Sequence, residues 1–134
     1  MKKTLSLMIT LCMLLLILPL QAAAEAQEDA AKEATDAASL IEQATPLVEA
    51  EDYEAAFPII QKAAETGDAM AQHWLGLCYE LGLGVDQNYE EAVKYYQLAA
   101  DQGYVPGIYS LAVCYADGKG VQKDMKKAME ILKP

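Results

Sequence analysis

A repeat of 36 residues constrains this chain more than any other feature. When the sequence is shifted by that spacing, small and aromatic residues of one stretch fall on identical residues of the next. The matched pairs include Gly67 with Gly103, Leu75 with Leu111, Cys78 with Cys114, Tyr79 with Tyr115, Gly84 with Gly120 and Ala92 with Ala128. Self-similarity at a fixed spacing is typical of stacked repeat proteins, whose units bury their apolar sides only against one another.

Each unit has the pattern of a helical hairpin. Apolar residues recur every three or four positions over residues 69–81, which predicts a helix, and Gly82 follows as a residue that tolerates positive φ angles. Asn88 suits the N-cap of a second helix over residues 89–102, and Gly103 ends it. The predicted fold class is therefore all-α, a short α-solenoid of about three stacked helical hairpins.

The terminal units depart from this pattern. Residues 37–67 predict a degenerate N-terminal hairpin, with a short connection that lacks the glycine turn, and Pro46 and Pro58 are expected at helix starts or kinks. Residues 68–103 form a full repeat and residues 104–134 a truncated one. Three apolar residues of the last predicted helix lie at the end of the stack: Met125, Met129 and Leu132. We favour the interpretation that the chain end hides them; the alternative is that a partner or a second copy docks there.

The repeat also resembles a known family. The segments that carry the resemblance are AQHWLGLCY at 71–79, GLGV at 82–85, EAVKYY at 91–96 and AADQG at 99–103. Together they are similar to one complete Sel1-like repeat, and residues 107–132 resemble a second that stops short. The resemblance implies an α-solenoid of the tetratricopeptide-like kind, whose members serve mainly as adaptors for protein complexes, often in bacterial envelopes and secretory pathways.

The N-terminus has the three-part pattern of a secretory signal peptide. Lys2 and Lys3 precede an apolar run over residues 5–20, and small residues follow up to Ala24. We predict a signal peptide over residues 1–24, cleaved after Ala24, then an Ala/Glu-rich linker over 25–36 and the repeat domain over 37–134. The alternative is an uncleaved anchor, but the apolar run is shorter than a spanning helix needs. The predicted location is periplasmic or secreted, without stable membrane insertion after cleavage.

The charge of the chain restricts its partners. The formal net charge is −10, and every basic residue is lysine. An acidic chain neutralises phosphates poorly, and without arginine it lacks the side chain that most often makes paired hydrogen bonds to guanine. Nucleic acid is therefore not a predicted partner. Anionic lipid is disfavoured for the same reason.

No constellation of residues indicates chemistry. Cys78 and Cys114 occupy equivalent positions on neighbouring helices, expected about 8–10 Å apart, too far for a disulfide, so we expect two buried free thiols. His73 is the only histidine, which argues against a zinc site. We predict no catalytic residue, no metal site, no cofactor and no enzymatic activity.

The family resemblance implies a shallow binding groove on the concave face. The residues expected to line it are Met70, His73, Leu77, Glu80, Tyr109 and Val113. Trp74 belongs to the same candidate site if it is exposed, and it packs against the preceding unit if it is not. Such a groove suits an extended peptide or a helix.

The leading hypothesis is a non-enzymatic exported adaptor that binds a protein or peptide partner through this concave face. The alternative is an envelope hydrolase, or a peptidoglycan- or β-lactam-binding protein, like the cysteine-rich branch of the family. That branch pins each hairpin with its own cysteine pair, an arrangement absent from this chain. Self-association through the C-terminal end is a third possibility.

Overall fold

The computed structural model describes residues 36–134, which contain six helices and no β-strand. The predicted signal peptide, and the linker apart from its last residue, lie outside these described residues. The helices are α1 over residues 36–49, the described part of that helix, α2 Tyr53–Glu65, α3 Ala69–Leu81, α4 Tyr89–Asp101, α5 Val105–Asp117 and α6 Met125–Ile131. The predicted all-α fold is confirmed.

The helix boundaries follow from local capping. The Ala71 backbone N–H donates a hydrogen bond to the Asp68 carboxylate at 2.8 Å, which fixes the start of α3. The Asn88 side chain accepts from two backbone N–H groups in the first turn of α4, as its position predicted. Gly82 and Gly118 end α3 and α5 with φ angles of 69° and 70°, in the left-handed region that glycine enters without strain.

The first hairpin differs from the others in its connection. Only residues 50–52 join α1 to α2, and Glu51 adopts a positive φ of 58° there. Pro46 lies within α1 and Pro58 within α2, so neither proline marks a helix start; of the two expected roles, a kink within the helix is the one that their positions allow. The rest of the described hairpin agrees with the expected short, glycine-free connection.

Helices α2 to α6 pack in chain order, each against the next, and α3 also contacts α5. Residues of α1 pack with those of α2 and α3 in one apolar cluster. Alanines fill most of the space between them: Ala44, Ala56, Ala63, Ala71, Ala92, Ala99, Ala112 and Ala128 are all buried. Small side chains let helix axes approach closely, so few large residues are enclosed; the largest are Tyr96, Leu75 and Leu111. The core is therefore a row of interfaces between successive hairpins.

Two turn glycines fix how one hairpin sits on the hairpin before it. A β-carbon on Gly84 would lie 2.3 Å from the Tyr53 carbonyl oxygen, and one on Gly120 would lie 2.3 Å from the Tyr89 carbonyl oxygen. The two contacts are equivalent at the repeat spacing. A glycine here is required both by the close approach and by the φ of +70° at each position.

We expect Gly84→Ala to destabilise the protein strongly. Its methyl group overlaps backbone, so the cost of a left-handed φ, about 1–2 kcal/mol, is joined by an overpacking cost of about 1–3 kcal/mol. Gly67→Ala is the matched control, because Gly67 also has a positive φ but has no atom within 4 Å of the added carbon. Urea unfolding of both variants measures the difference; equal losses of stability would contradict the packing role of Gly84.

Candidate functional site

The predicted site residues lie on two helices and differ in the contacts they make. Five of them belong to α3, and Tyr109 and Val113 belong to α5. The structure separates the set into residues that make polar contacts between hairpins, residues that line a pocket beside the first hairpin, and residues on the C-terminal surface. Met70 is half-buried and lines neither of the two apolar pockets described below.

His73 connects α3 to α5. Its Nε2 atom and the Ser110 hydroxyl are hydrogen-bonded at 3.1 Å, and its ring lies 5.6 Å from the ring of Tyr96 and 5.6 Å from that of Tyr104. Burial lowers the pKa of His73 below its ordinary value of 6.5, and the nearby Glu80 carboxylate opposes the shift. His73 is therefore engaged in holding the second and third hairpins together.

Glu80 is held at the same interface. The buried Tyr96 hydroxyl donates a hydrogen bond of 2.5 Å to Glu80 Oε2, and Lys119 Nζ lies 3.4 Å from Glu80 Oε1. Burial raises the pKa of the Tyr96 hydroxyl, and the hydrogen bond to Glu80 adds to that shift. We refer to Glu80, Tyr96 and Lys119 as the polar triad. Within it, each carboxylate oxygen of Glu80 already has a partner.

Trp74 and Leu77 line a pocket of about 110 Å³ between the first hairpin and α3. Its other walls are Val48, Tyr53, Ile60, Cys78 and Leu83. Trp74 is half-buried and packs against the core of the first hairpin, so of the two alternatives for this side chain the structure shows the packed one.

Tyr109 and Val113 belong to an apolar surface at the C-terminal end. They line a shallow pocket of about 120 Å³ together with Ala112, Ala116, Met125, Ala128, Met129 and Leu132. Tyr109 is 64% exposed, Met129 57% and Leu132 53%. The interpretation that the chain end folds over this edge was therefore wrong, since residues 133 and 134 leave it open. We call this set the C-terminal surface.

The two cysteines of the described chain are free and buried, as expected from their equivalent positions. Burial raises the pKa of each thiol to about 11, so neither is a reactive thiolate near neutral pH. Within residues 36–134, no three histidine, cysteine or carboxylate side chains lie close enough to hold a metal ion. None of the helices in that range is long and apolar enough to cross a membrane.

Several residues that shape these sites were not singled out in the sequence. Ser110 and Tyr104 complete the surroundings of His73, and Val48 and Tyr53 complete the pocket at Trp74. The repeat spacing contained a usable signal, because it pairs Ile60 with Tyr96 and Leu83 with Lys119. The first interface thus has smaller apolar residues where the second has an aromatic and a charged one. A pocket is expected at an interface of that kind.

Stacked helical hairpins with a shared, alanine-rich core define an α-solenoid of the tetratricopeptide-like class. Within it, residues 69–104 and 105–133 each match the Sel1 repeat model. The chain is a Sel1-like repeat protein.

Solved structures agree with this assignment. A Sel1 repeat protein from Oxalobacter formigenes is 36% identical with a TM-score of 0.57, over 58% of this chain and 60% of that one. A protective antigen present in uropathogenic Escherichia coli strains, displaying an SLR fold, is 39% identical with a TM-score of 0.58, over 59% of this chain and 17% of that one. Cysteine rich protein B of Helicobacter pylori shares the fold at 24% identity and a TM-score of 0.57, over 72% and 83%.

The match therefore spans less than two thirds of the first two of these proteins. No curated protein matches the chain.

We expect the stability of the protein to fall between pH 7.5 and 5.5 because of His73. Its folded pKa is below 6.5, so as the pH falls through 6.5 the unfolded chain binds the proton more readily than the folded one. In His73→Gln this part of the pH dependence should disappear, whereas Ser110→Ala should keep it. The free energy of unfolding in urea at the two pH values is the measurement, and equal slopes for the original protein and His73→Gln would refute the assignment.

Proposed function

We propose that this chain is a non-enzymatic adaptor, exported to the periplasm or the medium, that binds a partner protein through its C-terminal surface. Sel1 repeats commonly act as scaffolds for protein–protein interaction, which supports the general class. The observation that carries the specific proposal is the exposure of Tyr109, Met125, Met129 and Leu132 as one apolar surface. Contiguous exposed apolar residues of this kind are typical of sites where another molecule docks.

The repeat spacing indicates the shape of the docked partner. Leu132 is equivalent to Tyr96, and Met125 is equivalent to Tyr89. In the preceding unit, Tyr96 is completely buried, with α4 packed against the next helix, α5. The C-terminal surface is thus the counterpart of a surface that already holds a helix. A helix of a partner protein, with an apolar side facing α5 and α6, is the occupant that fits it best.

The affinity available from such docking is substantial. Each fully buried leucine- or methionine-sized side chain contributes about 1.5–3 kcal/mol relative to its exposed state. Met125, Met129 and Leu132, each more than half exposed, are the main contributors on this side. Burial of all three together with Tyr109 offsets part of the free-energy cost of association.

Export is supported by the N-terminal sequence pattern. We expect the protein recovered from the envelope or medium of its source organism to begin at Glu25. Mass spectrometry of the intact protein and of its N-terminal peptide is the measurement. Recovery of the full 14.6 kDa chain with Met1 in the cytosolic fraction would contradict export.

A photoreactive aromatic residue in place of Tyr109 should crosslink a discrete partner in envelope extracts. The same residue at Leu98, which is also exposed but lies on α4 outside the C-terminal surface, is the matched control. Adding Leu132→Glu should reduce the Tyr109 product about tenfold or more, because a charge would be buried in the apolar contact.

Three outcomes would count against this function. These are no product at position 109, equal products at both positions, or a product that Leu132→Glu leaves unchanged. A product of twice the chain's own mass, together with a dimer in light scattering that Leu132→Glu dissociates, would assign the surface to self-association instead.

A further inference from the structure

The two interfaces between hairpins are built differently at equivalent positions. Between the second and third hairpins lies the polar triad of Glu80, Tyr96 and Lys119. The residues one repeat earlier are Ala44, Ile60 and Leu83, which are shorter and apolar. Two of these replacements, Ile60 and Leu83, line the pocket at Trp74.

A further difference between the two hairpins, at Leu40, does not fill the pocket at Trp74. Leu40 is the residue equivalent to Gly76 of the second hairpin. The Tyr96 ring packs against Gly76 in the space that a β-carbon would need. Leu40 packs against the core of the first hairpin, but it is not among the walls of the pocket. A volume of about 110 Å³ therefore stays open beside Trp74.

The size and the walls of this pocket suit one apolar side chain. An apolar cavity of roughly 150 Å³ stays dry and accepts a benzene ring, so a somewhat smaller open pocket holds a leucine or most of a phenylalanine. Its walls are aliphatic and aromatic apart from the Cys78 thiol, the Tyr53 hydroxyl and the Trp74 indole nitrogen. No carboxylate or ammonium group lines it, so a charged side chain has no partner there.

The rim of the pocket is acidic. Val48 and Tyr53 belong to its walls, and the chain around them contributes Glu49, Glu51, Asp52 and Glu54, all exposed. No lysine lies between residues 33 and 61. We call these four residues the acidic rim, because they flank two walls of the pocket along the chain; their carboxylates attract lysine and arginine and repel acidic residues.

We propose that the pocket at Trp74 receives one phenylalanine- or leucine-sized side chain from a basic segment of a partner protein. The pocket supplies selectivity for the apolar anchor, and the acidic rim attracts the flanking positive charges. This pocket is a second binding site of the proposed adaptor, in addition to the C-terminal surface, and it rests on that proposed function. It shares no residue with the C-terminal surface, so variants of one site leave the residues of the other unchanged.

Trp74 provides a direct reading of occupancy, because it is the only tryptophan of the chain and lines the pocket. The probe is a capped Lys-Lys-Phe-Lys-Lys peptide titrated into the purified protein while Trp74 emission is followed. The same peptide with alanine in the central position is the matched control. We expect the phenylalanine peptide to bind about tenfold or more tightly than the alanine peptide, since burial of the ring is worth that factor.

Variants separate the pocket from the rim. Ile60→Phe enlarges the residue that stands where Tyr96 stands one repeat later, and should abolish the preference for the phenylalanine peptide. Leu83→Phe fills the pocket from another wall and serves if circular dichroism shows that Ile60→Phe is unfolded. Leu98→Phe, on an exposed position away from the pocket, should keep the preference. The combined change of Glu49, Glu51 and Glu54 to glutamine should weaken both peptides by a similar factor.

Equal binding of the two peptides, or no binding, would overturn the proposal. So would a preference that survives in a folded pocket-filled variant, because the peptide would then bind elsewhere. Trp74 emission that changes with protein concentration alone, with a dimer in sedimentation, would assign the pocket to a second copy.

If Ile60→Phe removes the peptide preference while the Tyr109 crosslink persists, the two sites are separate. If only the crosslink is absent, the C-terminal function fails and the pocket stands.

Discussion

The approach of the Gly84 backbone to the Tyr53 carbonyl, repeated by Gly120 at Tyr89, sets the register in which the hairpins stack. Because neither contact leaves room for a β-carbon, each turn has one close-packed position on the hairpin before it. That register determines which residues face each other across an interface. The polar triad, the pocket at Trp74 and the C-terminal surface all occupy positions defined by this stacking, and they differ only in the side chains that the sequence places there.

Polar contacts make the second interface more specific than its alanines alone allow. His73 with Ser110, and Lys119 with Glu80, join groups separated by 37 and 39 residues in the chain. Partly buried polar groups of this kind are costly when unpaired, so a shifted stack would leave them without partners. The first interface lacks the triad and relies on apolar contacts, including the edge contact of Phe57 with Tyr79. Within the second hairpin, the Tyr79 ring in turn stacks on the ring of Tyr95, 5.7 Å away. Apolar contacts are less directional, which is compatible with an open pocket beside Trp74.

The sequence predicted local features well and tertiary ones unevenly. The bounds of α3 and the cap at Asn88 follow from residues within one turn of the helix end, so a single sequence contains the information. For Pro46 and Pro58 the sequence left two roles open, a helix start or a kink, and only the structure places both prolines inside helices. The environments of His73 and Trp74 depend on which residue the neighbouring unit presents, Ser110 in one case and Ile60 in the other. Helix periodicity alone does not contain that pairing; the repeat spacing does.

The two candidate surfaces differ in charge as well as in shape. The rim of the pocket is acidic, whereas residues 117–134 contain five lysines, with three acidic residues among them. In a solenoid, each unit is coupled chiefly to its immediate neighbours. The second hairpin lines the pocket through Trp74 and contacts the third hairpin, which carries the C-terminal surface, through His73 and Glu80. Any coupling between the two surfaces must therefore pass through the second hairpin, whose helices α3 and α4 both pack against α5.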